Sequence, residues 1–170
     1  KTMKAPLMWE ILEAIIHYLK ERAFTQFIYK TIPYIHHRVP ADEDRYALFR
    51  VQAQLDRQDV LSVVKLDQLL PYQEQQMRAI QKARRAGVTI EISHDFETYW
   101  SILTTPETLP INPIHSPEEI RTLAAPFPHH IKLYAAFLHN RMIAGTVIFE
   151  TDRVVRAESI AASPDGIAAG

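Results

Sequence analysis

The 170-residue chain contains no cysteine, which excludes a disulfide scaffold and any thiolate metal site and fits a reducing, cytoplasmic compartment. Neither sign of charge prevails, since 19 Lys and Arg meet 20 Asp and Glu for a formal net charge of −1. A near-neutral chain has no electrostatic footprint for DNA. No apolar run approaches the roughly 18 residues of a membrane span, so no membrane contact is expected. The opening KTMKAPLMWEILEAIIHYLK is no signal peptide, because Glu10, Glu13, His17 and Lys20 interrupt its apolar positions. An initiator Met is also missing, so Lys1 is expected to lie inside a longer chain. Internal repeats and low-complexity tracts are absent. What is there, 47% apolar and 23% charged, is the composition of a globular protein long enough to bury a core.

Periodicity divides the chain into alternating helices and strands. Leu7, Met8, Ile11, Leu12, Ile15, Ile16 and Leu19 recur at helical spacing, with Pro6 where a first turn tolerates it. Phe27 to Ile32 (FIYKTI) reads as a short strand ended by Pro33, and Asp59 to Leu66 (DVLSVVKL) as a β-branched strand. Between them, Pro40 and the acidic residues Asp42, Glu43 and Asp44 open a helix. YQEQQMRAIQKARRAG is a helix with Lys82, Arg84 and Arg85 late and Gly87 as its C-terminal cap. VTIEI alternates as a half-buried strand, and Asp95 caps the helix DFETYWSIL, whose Phe96, Tyr99, Trp100 and Leu103 are core at helical spacing. Pro106, Pro110 and Pro113 make a loop. Ser116, Pro117 and Glu119 form a capping box for the next helix. Lys132 to Phe137, Ile143 to Phe149 and Val154 to Ala161 are then expected to form an antiparallel meander covered by the Ser116 to Ala125 helix, with turns at His139-Asn140-Arg141 and Thr151-Asp152-Arg153.

Isolated polar signals carry little chemistry by themselves. His36 and His37 are adjacent, so in a strand they face opposite ways and cannot chelate one ion. The other His spacings are equally poor for a metal site, and no metal is expected. The His129-His130 pair reads as an exposed linker. His115 stands between a Pro-rich loop and a capped helix, beside Glu118 and Glu119, where it can either fix the loop or act on a substrate.

A longer pattern does more. YKTIPYIHHRVPADEDRYALFR, WSIL…NPIHSPEEIRTLAAPFPHHIKLYAAF, IAGTVIFET and IAASPDG follow one another in an order that resembles the bacterial FemAB-like family of the GNAT superfamily of N-acyltransferases. The resemblance implies an α/β (α+β) GNAT-like fold, a mixed and mostly antiparallel sheet with helices on its faces, incomplete at both ends. Fem-type proteins contain two GNAT-like halves, so residues 1–65 are expected to end a first half and residues 66–170 to begin a second. The cofactor helix would follow Gly170, and missing segments or a second copy would pack on the exposed sheet edge.

The resemblance also assigns roles. The donor strand would be VVRAESIAAS, with the Ile160 and Ala161 amides holding an acyl carbonyl and stabilising its oxyanion. The loop from Ser163 through Gly166 to Gly170 would hold the pyrophosphate of acetyl-CoA or another acyl-CoA. Here Asp165 replaces the family's Gln or Arg, and Ala168 its first glycine. Relatives that use aminoacyl-tRNA also have a degenerate loop, which keeps that donor as an alternative. The acceptor would be a small-molecule amine, such as an amino sugar or a cell-wall precursor, that loses its proton to a base. Glu158 is the first candidate base, on the expectation that it alternates with Ile160 and shares its face, and His115 is the second. A fold that has lost its donor loop would instead serve as a non-catalytic interaction module. His37, between the FIYKTI segment and the Pro40 helix, is expected to matter mainly to structure.

Overall fold

The computed structural model describes residues 3–105 and 113–170. Pro106 and Pro110 of the expected loop lie outside those residues. The chain divides into two compact units, Lys1–Lys65 and Leu66–Gly170.

In the first unit, α1 (Ala5–Glu21) packs against α2 (Glu43–Arg50). Leu12 and Ala47 are the buried apolar residues at this contact, and the Arg50 guanidinium lies 4.0 Å from the centre of the Trp9 ring. Asp42, the N-cap of α2, also organises the chain before it. Tyr34 donates to Asp42 at 2.5 Å, and Arg45 donates to the Tyr34 oxygen at 2.8 Å. The expected strands Phe27–Ile32 and Asp59–Leu66 are not strands. No strand occurs in this unit among the described residues, so neither segment has a ladder to join. β-propensity measures how well a side chain suits a pleated, half-buried surface, and without that surface it decides nothing.

The second unit is mixed α+β. It holds α3 (Glu74–Ala86), β1 (Thr89–Ser93), α4 (Phe96–Leu103), α5 (Pro117–Ala124), β2 (Ile131–Leu138), β3 (Arg141–Glu150), β4 (Val155–Ala162) and α6 (Pro164–Ala169). The strands form one sheet, all antiparallel, in the order β1-β2-β3-β4. The expected meander is therefore present. His139 and Asn140 both adopt positive φ (50° and 60°), which matches a two-residue turn to the twist of the β2–β3 hairpin.

Local chemistry explains the helix ends. Gly87 closes α3 with φ 83°, a left-handed value that costs glycine nothing. Asp95 accepts from the Thr98 amide at 2.9 Å. Ser116 and Glu119 exchange hydrogen bonds at 3.1 and 2.8 Å to start α5.

One face of the sheet is covered mainly by α4, which packs on β3 and β4, with α5 beside it on β2. Tyr99, Leu103, Ile120, Leu133 and Val147 meet in that core. The cover thus comes chiefly from the helix capped by Asp95, and only in part from the Ser116 helix. β1 departs from the half-buried expectation: Ile90 and Ile92 are exposed, at the edge of the sheet away from β3 and β4, where α4 packs.

Candidate functional site

β4 is the opposite edge of the sheet, and its regular pairing fails once. Val147 opposes Ser159 and Ile148 opposes Ala157, which leaves Glu158 as an extra residue. The ladder bonds on either side fix the geometry. Thr151 N–H donates to Val154 O, and Ser163 N–H donates to Ile143 O. Counting alternate pairs inward from both ends brings Glu158 and Ser159 against the same residue, Val147, which is the two-against-one arrangement of a β-bulge.

The bulge overturns one expectation. Without it, Glu158 and Ile160 would share a face. With it, Glu158 joins Ser159 on the side of buried Val147, and Ile160 falls on the other. Exposure agrees, since the Glu158 side chain is 13% exposed and Ile160 is 68% exposed. The Glu158 carboxylate pairs with Arg156 Nη2 at 3.1 Å, two residues back on the same strand.

The same alternation separates the two expected amide donors. Ala161 opposes Gly145 in a hydrogen-bonded pair, so its N–H points into the sheet. The N–H of Ile160 points the other way, to the side of β4 that carries no strand among the described residues. Of the two, Ile160 is the one free of the ladder.

The residues after β4 are not the loop that the sequence suggested. They form α6, a short helix already under way at Pro164. Ser163 caps it, accepting from the Gly166 amide at 3.2 Å while its own hydroxyl donates to the Ile143 carbonyl at 2.9 Å. Gly166 is required by packing, because a Cβ there would stand 2.4 Å from Ile143 O. At Gly170 a Cβ would stand 2.5 Å from Ala79 O on α3. Asp165 pairs with Arg141 across the start of β3, so its negative charge is compensated locally.

His115 lies elsewhere in the network. Its carbonyl accepts from Trp100 Nε1 at 2.9 Å, and its Nδ1 stands 4.0 Å from the Glu119 carboxylate that also caps α5. His115 and Glu158 share no hydrogen-bond or ion-pair partner among the described residues. His37 Nε2 lies 3.0 Å from Ile32 O, and its ring is tilted against Tyr34 at 5.3 Å between centroids, a setting that ties down the chain before α2.

Sequence reading missed the polar contacts behind the bulge. Tyr99 donates to Ser159 Oγ at 2.9 Å, and Thr146 Oγ1 donates to Ser159 O at 2.9 Å. The available signal was the phenol of Tyr99 on an otherwise apolar helix face, since a buried hydroxyl needs a partner.

Among the described residues no group of three or more His, Asp or Glu could hold a metal ion, and no helix is long and apolar enough to cross a membrane. No protein-family model, curated protein or solved structure matches the chain.

Proposed function

We propose that the chain belongs to an N-acyltransferase of the GNAT type, related to the FemAB-like proteins, that moves an acetyl, other acyl or aminoacyl group directly to an amine. The observation that carries this reading is the open edge of β4, where the unpaired Ile160 N–H stands two residues from a largely buried carboxylate at a bulge. Direct transfer needs a backbone donor aimed at a carbonyl oxygen as negative charge develops there. It also needs a base that removes a proton from the attacking amine. On this reading Ile160 N–H supplies the first, and Glu158 the second from the helix-covered side of the edge. The donor is an acyl-CoA, or an aminoacyl-tRNA in its place. The acceptor is a small amine such as an amino sugar or a cell-wall precursor, met in the cytoplasm.

A second reading draws on α6. Its Gly166 is engaged by Ile143, its Asp165 by Arg141, and the Ser163 hydroxyl by the Ile143 carbonyl and the Gly166 amide, so these groups already serve packing and capping. A non-catalytic interaction module would look the same.

One experiment separates the two. The protein is titrated with acetyl-CoA and with aminoacyl-tRNA, and label transfer to a panel of amines is followed for wild type and Glu158→Gln. The transferase reading expects saturable donor binding and a turnover that falls about 10²–10⁴-fold in the variant, with donor affinity nearly unchanged. Absence of saturable binding of either donor leaves the interaction module. Normal turnover in Glu158→Gln removes this carboxylate and makes His115 the next base to test.

A further inference from the structure

The covering helix and the bulge meet at Tyr99. Its side chain is completely buried. Its ring lies so close to β3 that a Cβ on Gly145 would stand 2.8 Å from Cδ2, so only glycine lets the ring settle there. At the far end of the ring the hydroxyl donates to Ser159 Oγ. Thr146, next to Gly145 on β3, donates to the Ser159 carbonyl. Ser159 is therefore held at its side chain and at its carbonyl, and it is the neighbour of the extra residue Glu158.

Packing does not require this hydroxyl. A phenylalanine would fill the same space, whereas a buried phenol has to find a partner or bear the loss of its water. Burial raises the pKa of the phenol, against a smaller lowering from the Ser159 bond, so the group stays protonated and remains a donor.

We propose that Tyr99 is a positioning residue for the β4 edge: through Ser159 it holds the bulge in register, and with it the face on which Glu158 stands and the outward direction of the Ile160 N–H. The chemical consequence rests on the acyl-transfer reading, but the clamp itself does not.

The test measures amide hydrogen exchange residue by residue in the whole chain. Tyr99→Phe keeps the ring and removes the donor, and Ser159→Ala removes the acceptor. Each should quicken exchange of the Ala161 amide, which faces Gly145, by about three- to tenfold, the equivalent of one lost hydrogen bond. The Leu133 amide in β2 should stay within about twofold. The double variant should be no faster than either single one, because both remove the same bond. Thr146→Val, which leaves the helix and ring untouched, should loosen the same amide and keeps the test open if Tyr99→Phe folds poorly.

Unchanged exchange at Ala161, or an equal increase at Leu133, overturns the clamp. Where wild type transfers an acyl group, Tyr99→Phe should lower kcat about tenfold with the donor KM unchanged, and a normal kcat overturns the positioning role. A wild type that transfers nothing ends the acyl-transfer reading, and the exchange pattern then decides the clamp alone.

Discussion

Asp59–Leu66, all but its last residue in the first unit, and Ile143–Phe149 in the second are comparable stretches on paper, each rich in β-branched and apolar residues. The second is the middle of β3, paired on both sides, with Val147 completely buried. The first forms no strand, and its Val60 is 94% exposed. What separates them is the supply of partners. β3 is preceded by β2 across a two-residue turn and followed by β4 across another short one, so its backbone groups find a ladder at little loop cost. Asp59–Leu66 has no strand beside it in sequence, and so no ladder to join. A β-prone stretch becomes a strand where a neighbour can satisfy its backbone, and remains extended chain elsewhere.

The sharpest way to break this contrast is to remove apolar volume from each side of it. Leu133→Ala should cost the second unit about 2–5 kcal/mol, as a large-to-small change in a closed core does. Val60→Ala should move the first unit by less than about 0.5 kcal/mol. Denaturant unfolding followed separately for each unit checks both, and a comparable loss from Val60→Ala would show that Asp59–Leu66 is buried after all.

Next in size is Gly166→Ala. The added Cβ would meet the Ile143 carbonyl at 2.4 Å, and backbone cannot rotate aside as a flexible side chain can. A loss of about 1–3 kcal/mol is expected, together with faster exchange of the Ser163 and Gly166 amides as α6 lifts from β3. An unchanged melting temperature would mean that α6 does not sit against Ile143.

The smallest effect concerns Asp95. Its pKa lies below the ordinary aspartate value because the Thr98 hydroxyl, and after it the Thr98 amide, donates to the ionised carboxylate. A depressed pKa stabilises the fold above the unfolded value, and that contribution is lost as pH falls through the folded value. Asp95→Asn keeps a cap but cannot ionise. Wild type should therefore exceed the variant by a few tenths of a kcal/mol near neutrality, the exposed site being screened by water and salt. The difference should vanish as the carboxylate protonates. Melting curves from pH 7 downward measure it, and a gap that widens in acid would reverse the sign of the assignment.

The legible parts of the fold were those whose causes are local. Ser116 with Glu119, Asp95 with Thr98, and Gly87 at positive φ each complete their chemistry within a few residues, so the ends of α3, α4 and α5 could be placed from the sequence. The meander was legible for the same reason, because its strands are joined by short turns. The parts that failed depend on distant groups. Pro164–Ala169 read as a glycine-bearing loop, and it is a helix whose Gly166 answers to Ile143, more than twenty residues earlier.

The candidate site divides along the same line. Residue types and order, with Glu158, Ser159 and Ile160 on the last strand of the meander, were available from the sequence. The face on which each one stands was not. A single extra residue in β4 reverses the alternation, and nothing local to VRAESIAA announces it. The sequence alone determined where helices cap and where hairpins turn, since those energies are settled between near neighbours. Only the tertiary structure decided that Glu158 faces the helix-covered side, that the Ile160 N–H faces outward, and that Phe27–Ile32 and Asp59–Leu66 form no strands. Register and pairing depend on which backbone groups across the sheet remain to be satisfied, and that choice is made by the assembled fold.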